Sequence, residues 1–282
     1  MTGVLSKYTL GLTSPLQVLL IQLGFSMLIS WIVVAATCQY VEITRPTLLA
    51  GVLGILHPGL SSALGIVGLS HLDASVSSTI WALEAPMTMI LASIMLTEKL
   101  SVIQVAMSLL SVFGVFLTAM HHNASVDIFE VIYGTVLVVI AVLSCAPYAV
   151  LSRQIVTNEK IDPLLTVAAQ QTTGLFLCFA MLPLHWSFAR LGEFGALSSG
   201  TWLVCFFTGT LTFLVATGLF LAGLRYLSAG YAGSLLILTP VFGLATAHLF
   251  LGEELTSWQW IGVAVILLSV LGIQSSGSQP NQ

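Results

Sequence analysis

Charge is nearly missing from this sequence. Lys and Arg number 7 and Asp and Glu 11 among 282 residues, so 6% are charged, against about 25% in an ordinary soluble domain. A water-facing surface cannot be assembled from so few charges, and most of the exterior must face lipid. The net charge of -4 comes with no basic run or stripe, so nothing in the chain offers a surface to nucleic acid. Cysteine is scarce as well. Cys38, Cys145, Cys178 and Cys205 stand far apart, without a CxxC or a Cys/His cluster, and read as packing or lipid-facing residues rather than metal ligands or disulfide partners. A Walker loop, GxSxG and HExxH are all missing, which leaves direct ATP drive and hydrolase chemistry without support. No catalytic residue, metal or cofactor is expected, and the chain does not read as an enzyme. Residues 1–12 carry one charge and no sustained apolar core, unlike a cleaved signal peptide.

What is present is apolar length. Hydrophobic residues make up 57% of the chain and the mean hydropathy is +1.04. A membrane-crossing helix needs about 20 apolar residues. Nine segments qualify: 16–36, 48–69, 75–96, 103–120, 132–151, 164–184, 202–224, 229–251 and 258–273. Loops holding Arg45, Lys99, Arg153, Lys160 and Arg225 alternate with loops holding Lys7 and Arg190, which places the first set in the cytoplasm. Trp31, Tyr40, Trp186, Trp202, Tyr226, Trp258 and Trp260 fall near segment ends, where amphipathic rings favour the interface. Trp81 and Tyr148 sit well inside their segments. Links are short, and the Ser/Gln-rich tail 276–282 reads as disordered.

The chain also repeats itself. Leu72-Asp-Ala opens one segment and Leu227-Ser-Ala another; each has an internal proline, Pro86 and Pro240. They end in Leu96-Thr-Glu-Lys-Leu-Ser and Leu251-Gly-Glu-Glu-Leu-Thr, with Gln104 and Gln259 following at the same distance. Leu-Leu-Ser-Val-Phe-Gly-Val from Leu109 then matches Leu-Leu-Ser-Val-Leu-Gly-Ile from Leu267. Earlier, Val4-Leu-Ser-Lys resembles Val150-Leu-Ser-Arg, Ser14-Pro-Leu resembles Asp162-Pro-Leu, and Gln22 pairs with Gln170 or Gln171. An odd number of spans per half inserts the second half upside down, the inverted-repeat plan of many secondary transporters. The second half has an apolar helix before Ser152-Arg153, whereas only residues 1–5 precede Ser6-Lys7. The expectation is therefore nine full spans plus a truncated first helix, with one repeat over 1–120 and the other over 131–275.

These landmarks resemble the EamA-type repeat of the drug/metabolite transporter superfamily. The residues that carry the likeness are Pro86, Glu98, Gln104 and Gly114 in one copy and Pro240, Glu253, Gln259 and Gly272 in the other. The resemblance implies an all-α membrane bundle of ten helices in two inverted five-helix repeats, with a central cavity open to one side at a time. This sequence departs from the family pattern in its short first helix and in Gln22, which stands where an Arg is often found. The implied function is secondary transport, as an exporter, of a small metabolite, amino acid-like or drug-like solute by alternating access. The implied setting is a multi-pass protein of the cell membrane, with a small-molecule substrate, the lipid bilayer and proton coupling as partners; a homodimer is compatible with this plan. The alternatives are a noncatalytic membrane subunit or inactive truncated paralogue, and an intramembrane enzyme, which a single deep carboxylate disfavours.

Glu84 is the most informative residue. It lies nine residues after Ser75, about 13 Å along a helix and so near the middle of a core about 30 Å thick. A central acidic side chain costs about 2.5–3.5 kcal/mol on insertion scales, so it should face a cavity or a partner. Ser77, Trp81, Glu84 and Thr88 follow helical spacing and share one face of an ideal helix. The functional reading is a proton-coupling carboxylate or a site for a substrate ammonium. The structural one is a carboxyl hydrogen-bonded to a neighbouring helix. His57 precedes Pro58 and forms an i, i+4 polar pair with Ser61; it can relay protons or bond substrate, or simply be a satisfied core histidine. Tyr148 and Trp81 offer aromatic walls. Gln170 belongs to the stripe Thr166-Gln170-Thr173, which, like Gln22-Ser26-Ser30 and Thr239-Phe242-Thr246, reads as cavity lining or as interhelical hydrogen bonding. All seven basic residues lie in loops or near segment ends, which disfavours an organic phosphate and favours an uncharged, zwitterionic or cationic solute. His121-His122 and the Asn123-Ala-Ser glycosylation pattern sit in a loop and read as solvated.

Overall fold

The computed structural model describes residues 2–10, 13–37, 44–96, 101–119, 128–159, 161–185, 197–252 and 256–275. Cys38, Tyr40, Glu98, Lys99, the 121–125 loop, Lys160, Trp186, Arg190, Glu253 and the tail 276–282 lie outside the described residues. The elements are helices in the order α1 Thr2–Leu10, α2 Pro15–Thr37 and α3 Arg45–His71, then α4 Ala74–Met95, α5 Val102–Ala119 and α6 Ile128–Asn158. They continue with α7 Pro163–His185, α8 Ser199–Gly223, α9 over residues 229–251 and α10 Ser257–Ser275. No strand occurs among the described residues. Nine crossings were expected; among the described residues six helices (α2, α3, α4, α6, α7 and α8) reach full crossing length and hydropathy, and α5, α9 and α10 contain shorter apolar helices. The 18 residues of α5 correspond to about 27 Å of helix. In contrast, α6 runs 31 residues, well past its apolar centre. Its polar end is held because Val156 packs with Val167, Leu214, Leu221 and Leu224.

The repeated sequence landmarks turn out to be helix starts. Ser101 and Gln104 form a reciprocal cap: Gln104 N donates to Ser101 Oγ (3.1 Å) and Ser101 N to Gln104 Oε1 (2.9 Å). Thr256 and Gln259 do the same for α10, at 3.4 and 2.8 Å. Each arrangement satisfies two backbone donors that a helix N-terminus leaves open. Asp162 Oδ1 accepts from Leu164 N at 2.8 Å to start α7, and Ser14 N donates to Gln17 Oε1 at 3.1 Å to start α2.

Helices that match in sequence pack against each other. α2 lies on α7, α4 on α9 and α5 on α10. The first part of α4 meets residues 239–246 of α9, while the first part of α9, Ala229–Leu235, meets the Glu84–Met95 end of α4, so the two cross antiparallel. Between them α3 packs on α7 and α8 on α2, each helix meeting the counterpart of the other pair. The same correspondence reaches single hydrogen bonds. Lys7 Nζ donates to Leu69 O (3.0 Å) and Leu72 O (2.6 Å), and Arg153 Nε donates to Leu227 O (3.2 Å). A cation thus holds the last carbonyls before α4 and before α9, where helix C-terminal partial charge is negative. Lys7→Met and Arg153→Met are each expected to destabilise the detergent-solubilised protein by about 1.5–3 kcal/mol, the worth of hydrogen bonds to a charged group. Thermal unfolding followed by tryptophan fluorescence measures this, and an effect confined to one of the two would show that they are not equivalent.

Candidate functional site

Four irregular turns shape the middle of the bundle. In α3 the helix breaks at His57, whose φ of −145° and ψ of 128° are extended. A residue before proline is pushed away from helical geometry, and Pro58 follows. The turn over Leu56–Leu60 is π-helical, and so is Thr210–Ala216 in α8. In α4 a 3-10 turn at Trp81–Leu83 comes seven residues after the helix start, matched in α9 by Leu236–Leu238. Pro86 and Pro240 stand just beyond these turns; each lacks the N–H an α-helix would use there. Glu84 and Thr239 are each the first residue after their turn.

The 3-10 turn changes which way the α4 side chains face. It runs at about 3.0 residues per turn rather than 3.6, so the four residues expected on one face divide. Ser77 and Trp81 line a cavity of about 300 Å³, together with His57, Gln22, Ser62, Thr212, Phe213 and Thr239. Glu84 and Thr88 are not among the residues lining it. Thr88 is buried against Gly233 of α9, with its hydroxyl unpartnered. Glu84 is half-buried, lies within electrostatic range of Cys145 and Tyr148 on α6, and its carboxyl has no hydrogen-bond partner among the described residues.

His57 and Tyr148 meet beside it. Their ring centroids are 4.8 Å apart. His57 Nδ1 pairs with Ser61 Oγ at 2.7 Å and lies 3.6 Å from Cys145 Sγ. Tyr148, 3% exposed, donates its hydroxyl to Gln170 Oε1 at 3.0 Å, and Gln170 Nε2 donates to Ser152 Oγ at 3.3 Å. A polar chain therefore runs from the cavity wall at His57 to Tyr148, Gln170 and Ser152, with Glu84 alongside. Its counterpart on the other repeat is neutral: Gln22 Nε2 donates to Ser6 Oγ (3.0 Å) and Thr208 Oγ1 (2.8 Å). Of the seven residues singled out from the sequence, Ser77, Trp81 and His57 share the cavity, and Tyr148 and Gln170 join His57 behind it. Glu84 borders that second group and Thr88 stands apart.

Ser61 was legible from its i, i+4 spacing. Ser152 stands in the repeated phrase Val150-Leu-Ser-Arg, whereas nothing marked Cys145, Ser62 and Thr212 for a site, because Ser, Thr and Cys in apolar helices look alike whether they line a cavity or pack. The polar stripes divide the same way: Ser30 Oγ bonds Gln171 Oε1 across α2 and α7 at 3.0 Å, Thr173 bonds Gly51 O on α3, and Thr239 faces the cavity. The three described cysteines are free and buried. Among the described residues no His, Cys, Asp and Glu group could hold a metal ion. A larger groove of about 480 Å³ lies by the α3–α4 link, with apolar walls from Val76, Leu83, Val115 and Val139. It reaches neither His57 nor Tyr148, so the smaller cavity is the candidate site.

Known proteins agree with this architecture. The chain resembles a Bacillus subtilis (strain 168) protein described as "Uncharacterized transporter YxxF", with 24% identity over 195 residues, covering 69% of this chain and 59% of that protein. The match thus spans less than two thirds of that relative's length. A solved structure titled "Crystal structure of protein" superposes with a TM-score of 0.74 at 14% identity, covering 98% of this chain and 96% of the other; that likeness speaks to the fold. The model of the EamA-like transporter family matches twice, over residues 1–120 and 132–275. Six helices among the described residues are long and apolar enough to cross a bilayer, which makes this a multi-pass membrane protein, and with nearly its whole length matched by that model the chain belongs to the EamA-like transporter family.

Proposed function

We propose that the chain is a secondary transporter that moves a small metabolite by alternating access, with export as its direction and protons as its coupling ion. The observation that carries this reading is the mid-bundle cavity between α2, α3, α4, α8 and α9, bordered by His57 and backed by the Tyr148 chain and Glu84. The ten helices form two oppositely inserted five-helix repeats, α1–α5 and α6–α10, with α1 in the place of the first helix of its repeat. The antiparallel crossing of α4 and α9 supports this, as does the likeness between the bonds of Lys7 to Leu72 O and of Arg153 to Leu227 O, and between those of Gln22 to Ser6 and of Gln170 to Ser152.

In this reading the cavity is the solute pocket in the state captured here. It extends from His57 toward Leu69 and Ala74 near the α3–α4 link, the side that the distribution of basic residues places away from the cytoplasm. The opposite side is packed shut by Val156, Val167, Leu221 and Leu224 and by the Tyr148–Gln170–Ser152 bonds. Repeats of opposite orientation can exchange the open and shut sides by rocking about a fixed site. Proteoliposomes loaded with a metabolite extract test this: mass spectrometry should find at least one solute depleted from protein-containing vesicles and retained in protein-free ones, faster with a proton gradient. No depletion of any solute under either gradient polarity would instead favour a noncatalytic membrane subunit.

A further inference from the structure

The cavity carries more hydrogen-bonding capacity than the protein uses. Ser62 of α3, Ser77 of α4, Thr212 of α8 and Thr239 of α9 all line it, and none of their side-chain hydroxyls has a hydrogen-bond partner among the described residues. Gln22 of α2 joins them: its amide nitrogen donates to Ser6 and Thr208, and its carbonyl oxygen has no hydrogen-bond partner among the described residues. Ser77 and Gln22 are buried, Ser62 and Thr212 half-buried and Thr239 exposed, so polar groups without a protein partner converge on the cavity from five helices, where a ligand can supply the bonds that polar groups inside a protein ordinarily make. Each hydroxyl can both donate and accept. Such a lining suits a ligand whose own groups do both.

The lining also says what the ligand lacks. Among the described residues no Lys, Arg, Asp or Glu lines the cavity, and His57 is the one ionisable side chain that does. Lys7, the cation nearest in sequence to Ser6, is turned onto Leu69 O and Leu72 O. A phosphate or carboxylate would enter without the cation that such groups need. An ammonium would find Glu84 off the lining. Apolar surface comes from Trp81, Phe213 and Ile66, enough to cover the carbon face of a small ring or chain. The volume of about 300 Å³ lies at the lower end of small-molecule sites.

We infer that this cavity binds an uncharged, multiply hydroxylated solute of monosaccharide or polyol size, with its C–H face against Trp81 and Phe213 and its hydroxyls shared among Gln22, Ser62, Ser77, Thr212 and Thr239. The solute pocket and the Glu84–Tyr148 region are then adjacent and separate, with His57 belonging to both. The assignment deepens the transporter reading, from which it takes its biological sense, and it is tested by binding alone.

The experiment titrates the full-length protein in lipid nanodiscs by calorimetry. The probes are glucose and mannitol as neutral solutes, leucine as a zwitterion, choline as a cation, and glucose 6-phosphate and lactate as anions. Saturable binding of a neutral probe, tighter than any charged one, is expected. Ser77→Ala, Thr212→Val and Thr239→Val should each weaken it about two- to tenfold, the worth of one neutral hydrogen bond. Ser269→Ala on α10, which is not a lining residue and bonds Val265 O within its own helix, should leave it unchanged. A charged or zwitterionic probe binding more tightly, no binding by either neutral probe, or neutral binding indifferent to the three cavity variants would each overturn the inference. Neutral probes that bind yet never cross a proteoliposome membrane would refute the transporter reading and leave the pocket assignment standing.

Discussion

Glu84→Gln is expected to leave the protein inserted and folded while solute flux loses its dependence on a proton gradient. The expectation begins with cost: an acidic residue at membrane depth is unfavourable by about 2.5–3.5 kcal/mol on insertion scales. It could be retained structurally if its carboxyl were bonded to a neighbouring helix. The structure shows no such bond among the described residues, and Glu84 remains half-buried beside Tyr148 and Cys145. Glutamine keeps the size and most of the hydrogen bonding but cannot titrate. In proteoliposomes, gradient-driven flux of the variant should fall to that of protein-free vesicles, while exchange of solute for solute persists. The native rate should vary across a pH series and the variant's should stay flat, with Glu84→Asp intermediate. A glutamine variant that follows the native pH profile would show that Glu84 has no part in coupling.

Gly54→Ala and Gly209→Ala are expected to be the most damaging small substitutions in the bundle, and for one shared reason. At Gly54 an added methyl would overlap the backbone of Gln170; at Gly209 it would overlap the backbone of Gln22. Neither obstacle is a flexible side chain that can turn aside, so α3 must move off α7, or α8 off α2. Overpacking of this kind costs about 1–3 kcal/mol or more. Unfolding midpoints in detergent should drop for both variants. The functional consequences should differ, because Gln170 holds Tyr148 whereas Gln22 lines the cavity. Gly54→Ala should disturb pH dependence and Gly209→Ala solute affinity. Midpoints equal to the native protein's for both variants would show that these helices are not seated backbone to backbone.

Much of the architecture was legible in the chain because it follows from properties of single segments. Membrane embedding comes from the scarcity of charge. The duplication could be seen because Gln104 and Gln259, with Ser101 and Thr256 before them, are tied to their places by the reciprocal caps they form. A helix start is local chemistry, so its signature survives in sequence. The same is true of His57 and Ser61, four residues apart and bonded at 2.7 Å. The family, too, could be read from such landmarks, and both halves match its model.

The site needed the tertiary structure. Sequence spacing places Ser77, Trp81, Glu84 and Thr88 on one ideal helical face, but the 3-10 turn at Trp81–Leu83 puts the first two at the cavity and the last two elsewhere. An ideal helical template contains no such turn. Gln170 could be paired with Gln22 over Gln171 only once Gly54 was found against one and Gly209 against the other. By itself, the sequence determined that the chain lies in a membrane, that it repeats, and where its helices begin, because hydropathy and capping belong to a residue and its near neighbours. Only the tertiary structure decided which polar groups meet and which hydroxyls line the cavity without a protein partner, because each of these is a relation between helices distant in sequence, set by where their backbones can touch.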